Sequence, residues 1–230
     1  NANAGSSASC FTVTLPQRLN LIGEWEVGLT EIIYVNTWYN VTRRDEMNYI
    51  KVGYVTEQDA AKFKHGEDSG TIPISIATIF IPPRYYTSPG ELVQKIQERI
   101  DNTPIADLKN KLYIEMDEHS NRVIITATRN CIYYVHAHKD MAYMLGFKNE
   151  MLYTRYMFDI DAPEISKGTL DPDIRNGFDA MYVYCDIIEH QIVGNKLAPL
   201  LRTIEVEGDF SSIVKRAFDN PHYVRVLRKN

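Results

Sequence analysis

The sequence predicts an all-β fold: a single jelly-roll β-sandwich, two antiparallel sheets of about eight strands in all, with short helices kept to the loops. Three observations lead there. Apolar and polar residues alternate over several short stretches, most clearly Met181, Val183, Cys185 and Ile187 against Tyr182, Tyr184, Asp186 and Ile188. A period of two marks a strand with two unlike faces. Such stretches do not alternate with helical ones, which argues against a parallel α/β sheet. Their connections vary widely in length, which favours a jelly roll, although other Greek-key sandwiches fit the same pattern.

Residues 1–9, NANAGSSAS, are small and polar and predict a flexible N-terminal arm, leaving 10–230 as one domain. A first strand is expected over 10–15, where Phe11, Val13 and Leu15 alternate with Thr12 and Thr14. Pro16 ends it, because proline cannot donate to a ladder. Residues 19–38 make a second β region, with Gly23 and Gly28 as points of bend or bulge. Strands follow at 49–55 and 71–81, separated by the charged loop 56–70.

Residues 88–100 form the one strong helix. Ser88 is its N-cap, Pro89 takes the first helical position and Glu91 the capping-box place. Leu92, Val93, Ile96 and Ile100 give it an apolar stripe at helical spacing. Strands are expected at 112–116, 122–128 and 131–138, then a short helix over 140–145 with Gly146 at its C′ position. Residues 153–176, rich in Asp, Pro and Gly, read as a long surface connection. The segment 181–208 reads as two strands turning at Gly194-Asn195, both of which tolerate positive φ. Residues 211–218 are expected to make a brief helical turn, and 223–227 a last extended piece.

At 230 residues, 44% hydrophobic and 24% charged, the chain has the make-up of one ordinary soluble β domain. Its formal charge of −5, with Lys and Arg dispersed, argues against nucleic-acid binding, which asks for a basic stripe. The 15 Tyr suit half-buried pleated surfaces and protein contacts, because each joins apolar area to a polar tip. No run approaches 18 apolar residues, so no membrane span is predicted. No signal peptide is evident, and a chain opening on Asn reads as a fragment or a processed product. In that context the sequon Asn40-Val41-Thr42 reads as chance.

Candidate chemistry is sparse. His136 and His138, two apart on one strand, have a usable metal-ligand spacing, but no third ligand is evident beside them; Asp140 lies just beyond and His119 sits in a turn. Both read better as solvated strand residues. Asp159, Asp161, Glu164, Asp171 and Asp173 make an acidic loop that lacks calcium-loop spacing. Cys10, Cys131 and Cys185 are odd in number, with no CxxC pair. Nucleophile, phosphate-loop, zincin and kinase motifs are absent. The residues predict no enzyme and no cofactor.

One block carries a resemblance. Tyr182-Val183-Tyr184-Cys185-Asp186-Ile187-Ile188-Glu189-His190-Gln191-Ile192-Val193-Gly194, followed by Pro199-Leu200-Leu201-Arg202, resembles a stretch of the minor capsid (penton) proteins of Polinton/Maverick elements and adintoviruses. Leu21 to Leu29, the Pro83-x-x-Tyr86 entry to the helix, Met144-Leu145-Gly146-Phe147 and Pro221-x-Tyr223-Val224-x-Val226 resemble further segments of that family. The chain departs from the family pattern at His190 and Arg225, where the family has proline.

The resemblance implies a structural virion protein: a jelly-roll subunit forming a homopentamer at the five-fold vertex of an icosahedral capsid. It implies no catalysis and no cofactor. The implied partners are further copies, a major capsid protein, and a host receptor or fibre-like protein. Loops 56–70 and 153–176 are then expected to help the flanks of the sandwich meet a neighbour. The N-terminal arm and the basic tail, where Arg225, Arg228 and Lys229 cluster, would face the capsid interior or the major capsid protein. A jelly-roll carbohydrate- or receptor-binding protein and a cupin-like metalloenzyme are the alternatives on the same architecture.

Overall fold

The computed structural model describes residues 10, 12–43, 47–56, 74–106, 108–127, 132–154, 165–175 and 179–227. Among these lie fifteen strands and two helices. In chain order they are β1 (Glu26–Gly28), β2 (Glu31–Val35), β3 (Tyr49–Tyr54), β4 (Ser75–Phe80), α1 (Pro89–Asp101), β5 (Leu112–Asp117), β6 (Arg122–Ala127), β7 (Ile132–Ala137), α2 (Lys139–Met144), β8 (Met151–Thr154), β9 (Ile165–Lys167), β10 (Ala180–Tyr184), β11 (Gln191–Val193), β12 (Lys196–Ala198), β13 (Leu200–Glu205), β14 (Ile213–Ala217) and β15 (Tyr223–Arg225). The chain is all-β and antiparallel, as its alternation predicts.

The contacts group the chain into two compact units. One is Asn1–Tyr34 with Ala180–Glu205 and Lys215–Asn230; the other is Val35–Asp179 with Val206–Val214.

The second unit holds two antiparallel sheets, ordered β4-β3-β7-β8 and β5-β6-β9. Alternate side chains from both sheets, Ile50 and Val52, Ile79, Val135, Ile114, Val123 and Ile125, enter one buried cluster. Burying each such side chain stabilises the fold by about 1.5–3 kcal/mol. Helix α1 adds Leu92, Val93, Ile96 and Ile100 to that cluster.

Ser88 caps its start as the sequence predicts, but the Glu91 carboxylate reaches the Thr87 N–H, one residue before the capping-box partner. Ser88 Oγ accepts the Glu91 N–H at 3.1 Å, while the Glu91 carboxylate accepts the N–H of Thr87 at 2.7 Å. The Thr87 N–H, with the Thr87 hydroxyl beside it, holds the Glu91 carboxyl below its usual range. The helix also serves the sheets. Both groups of the Gln97 amide engage the outer edge of β5, accepting from Ile114 N at 2.7 Å and donating to Leu112 O at 3.3 Å. Arg99 Nε donates to Phe80 O at the end of β4. Edge strands with open hydrogen-bonding groups invite unwanted pairing, and α1 covers an edge of each sheet.

The first unit is thinner. β10 pairs with β13 and β1 with β15, both antiparallel. Ile188, Leu201 and Val224 form its buried cluster, with Val27, Leu29, Val183 and Cys185 partly buried against it.

Four expectations are corrected. Residues 12–15 belong to no ladder, and Val13 and Leu15 are exposed, so alternation there marks no strand. Residues 211–218 form a strand, β14, not a helical turn. Ser211 at φ 65° breaks the helical path, and β14 pairs with β2. Gly194-Asn195 does not join β10 to β13. It turns a separate small hairpin, β11–β12, while β10 stops at Tyr184 and Ile188 bridges to Val226. The 153–176 connection contributes Tyr153 and Thr154 to β8, and all of β9, to the sheets.

Candidate functional site

The candidate metal pair sits where β7 runs into α2. His136 is the penultimate residue of β7, and its Nε2 faces the Glu150 carboxylate at 3.6 Å. His138 is the N-cap of α2, its Nδ1 accepting the Asp140 N–H at 3.3 Å. The Asp140 carboxylate lies 3.7 Å from the same Nδ1. The imidazoles thus approach different carboxylates, and no group of three His, Cys, Asp or Glu suited to a metal forms among the described residues. His119, in the β5–β6 turn, lies by Asp117 instead.

The chain around this corner is rigidly held. Ala137 N donates to Glu150 O at 2.9 Å, and His136 registers with Met151 across β7–β8. Gly146, at φ 81°, closes α2: its own N–H reaches Tyr143 O at 2.9 Å and the Phe147 N–H reaches Ala142 O at 2.8 Å. This is the helix stop that the C′ glycine predicts. An open depression of about 540 Å³ lies here, lined by His136, Lys139, Tyr143, Lys148, Glu150 and Met151 among others. Sequence spacing singles out only His136. The other five converge because the Gly146 turn reverses the chain.

The remaining candidates scatter. Asp171 pairs with Arg122 at 3.3 Å, and Asp173 accepts the Arg175 N–H. Asp159, Asp161 and Glu164 lie outside the described residues, as do Cys131, the loop residues 57–70, the arm 1–9 and the tail 228–230. Cys185 is half-buried against Ile188, Leu201 and Val224, where a thiol acts as a small hydrophobe.

The aromatic strand faces divide. Tyr134 is packed over Gly53 inside the second unit. Tyr182 and Tyr184 both point outward from β10 and are more than half exposed. In the same unit Ile192 and Leu197, direct partners across β11–β12, are 81% and 68% exposed. The described helices include none long and apolar enough to cross a membrane.

The solved crystal structure of a mavirus penton protein is similar to this chain. It matches at 11% identity and a TM-score of 0.44, over 90% of this chain and 74% of that one. No family model matches the sequence, and no curated protein does.

Proposed function

We propose that this chain is a penton-like capsid subunit, a structural virion protein whose copies ring the five-fold vertex of an icosahedral shell. The observation that carries the reading is the surface of the first unit. Its buried cluster is the small group around Ile188, Leu201 and Val224, while Tyr182, Tyr184, Ile192, Leu197 and Tyr223 stand exposed on its strands. Two-stranded ladders are marginal in water by themselves. Apolar area laid out on them in this quantity suits a surface that a partner covers. The resemblance of residues 182–202 to penton proteins names that partner as further copies of the chain.

A five-fold ring needs a heterologous interface, one patch meeting a different patch on the next copy. Permanent interfaces of this kind often bury more than ~2,000 Å². The reading takes residues 10–230 as the assembling jelly-roll body, with no catalysis and no cofactor. A major capsid protein is its neighbour in the shell, and the apical loops are free for a receptor or fibre-like protein. Light scattering and negative-stain imaging of the purified chain test it. The expected result is a five-membered ring under assembly conditions. A chain that stays monomeric at every concentration counts against the proposal.

A further inference from the structure

We propose that residues 12–15 of one copy add as a strand to the open edge of β4 in a neighbouring copy. The inference rests on the reading of the chain as a subunit that meets its own copies, and it names a contact by which they meet.

Hydrogen-bond phase sets the acceptor. Ile81 N donates to Asn48 O at 2.8 Å, and β4 runs antiparallel to β3 with Phe80 opposite Tyr49. In such a ladder the main-chain groups of alternate residues point to the partner, and those between point away. Ala77 and Ile79 therefore face β3, while Ile76, Thr78 and Phe80 turn their groups out of the sheet. β4 is the end strand of that sheet. Helix α1 covers this edge at its Phe80 end, through Arg99. The outward N–H and C=O groups of Ile76 and Thr78 have no partner among the described residues. The side chains are open too, with Ile76 and Phe80 62% and 56% exposed. An apolar edge of this kind is a template for another strand.

The donor lies in the same sequence. Thr12, Val13, Thr14 and Leu15 alternate polar with apolar, yet no ladder of their own chain takes them up, and Val13 and Leu15 are 70% and 58% exposed. Three of the four are β-branched, which favours extended backbone. Laid along β4 with Val13 and Leu15 on the side of Ile76 and Phe80, the segment covers apolar area on both strands while its main chain meets the Ile76 and Thr78 groups. Pro16 ends the added strand. A segment without a ladder and an edge without a strand are satisfied together when copies join head to tail. That contact is heterologous, the kind a closed ring uses.

Sedimentation of the full chain tests it beside two variants. V13P/T14P removes the N–H of two adjacent residues, one of which faces the acceptor in any register. T78P removes an N–H that points out of the sheet, where an edge strand tolerates proline. Each is expected to keep its melting temperature and lose the ring. Oxidative cross-linking gives a second readout, and decides the matter should T78P fail to fold. Chains carrying V13C are mixed with chains carrying I76C or T78C, all with Cys10→Ser. One pairing is expected to give a covalent dimer of unlike chains, above the level given by E118C on the β5–β6 turn. Rings that survive V13P/T14P, or no such dimer from either pairing, overturn the strand addition and leave the subunit reading standing. A wild type that never forms a ring removes both.

Discussion

The ring of Tyr134 lies across the Cα of Gly53, its partner in the β3–β7 register, so closely that a Cβ on Gly53 would meet Cε1 at 2.1 Å and Cδ1 at 2.5 Å. Glycine in a strand interior ordinarily weakens it. Here the missing side chain is the seat for an aromatic ring, a device that recovers packing where glycine offers none. Gly53→Ala is therefore expected to destabilise by about 1–3 kcal/mol, the usual range for overpacking. In a Tyr134→Ala background the same change should cost nothing or stabilise slightly, since alanine restricts the unfolded chain. Urea titrations of the four-member cycle read the coupling. Additive costs would refute the account.

Asn40 ties two chain segments with one side chain. Its Nδ2 donates to Tyr86 O at 2.8 Å, and its Oδ1 accepts the Tyr86 N–H at 2.9 Å. Tyr86 is itself fully buried, its hydroxyl bonded to Pro82 O, and burial pushes its pKa up. Asn40→Asp keeps the acceptor but turns a carboxylate oxygen toward the Tyr86 carbonyl. It is expected to cost about 1–3 kcal/mol at neutral pH, the cost of an unmet buried group. An unchanged unfolding midpoint would show the clamp to be dispensable.

The parts legible in the sequence are those whose chemistry is local. Ser88, Pro89 and Glu91 announce the start of α1, and Gly146 announces the end of α2, because each meets its partners within one turn of helix. The β5–β6 hairpin is legible for the same reason, its register closing over a short turn. What stayed hidden depends on distant partners. β14 pairs with β2 from the far end of the chain, so the SSIVKRAF sequence gives no hint that Ser211 breaks it away from helix. Alternation over 10–15 looks like a strand, yet no ladder takes up residues 12–15. The depression was illegible because its lining comes together only after the chain doubles back at Gly146.

Asp117 ends β5 and gathers three donors. Lys167 Nζ comes from β9 at 2.7 Å, the His119 N–H reaches it at 3.2 Å, and the Ser120 hydroxyl completes the set. The Lys167 bond is the largest cause, and together they hold the carboxyl well below the usual range. A folded-state pKa below the unfolded value means the contribution is present above the ordinary Asp pKa of ~3.9 and fades as acid protonates the group. Wild type should therefore exceed D117N in melting temperature by a constant margin from pH 8 to about 5. That margin should shrink below pH ~4. A margin independent of pH down to 2 would rule the carboxylate out as its source.

Gly146 faces two demands at once, and one substitution separates them. Its φ of 81° is a left-handed conformation, and a Cβ there would lie 2.4 Å from Leu170 O, whose own N–H donates to Gly146 O. Alanine should cost about 2–4 kcal/mol, adding ~1–2 kcal/mol of backbone strain to the clash. Asparagine tolerates the left-handed region, so it would rescue a purely conformational penalty. Because its Cβ meets the same carbonyl, Gly146→Asn is expected to remain within ~1 kcal/mol of the alanine variant. Recovery of most of the stability by asparagine would show that φ alone set the requirement.

Tyr182 and Tyr184 provide the sharpest separation of assembly from folding. Both point away from the Ile188–Leu201–Val224 cluster, at 55% and 53% exposure, so their rings stabilise the lone chain little. Surface substitutions away from special features usually move stability by less than ~0.5 kcal/mol. Buried at the centre of a contact between copies, the same aromatic rings become hot spots, each worth ~2 kcal/mol or more. If the proposed ring forms, the double variant Y182S/Y184S should keep its melting temperature while its sedimentation profile shifts from ring to monomer. Rings that survive the double change would move the contact surface off β10. A fall in melting temperature without loss of rings would make these tyrosines part of the fold.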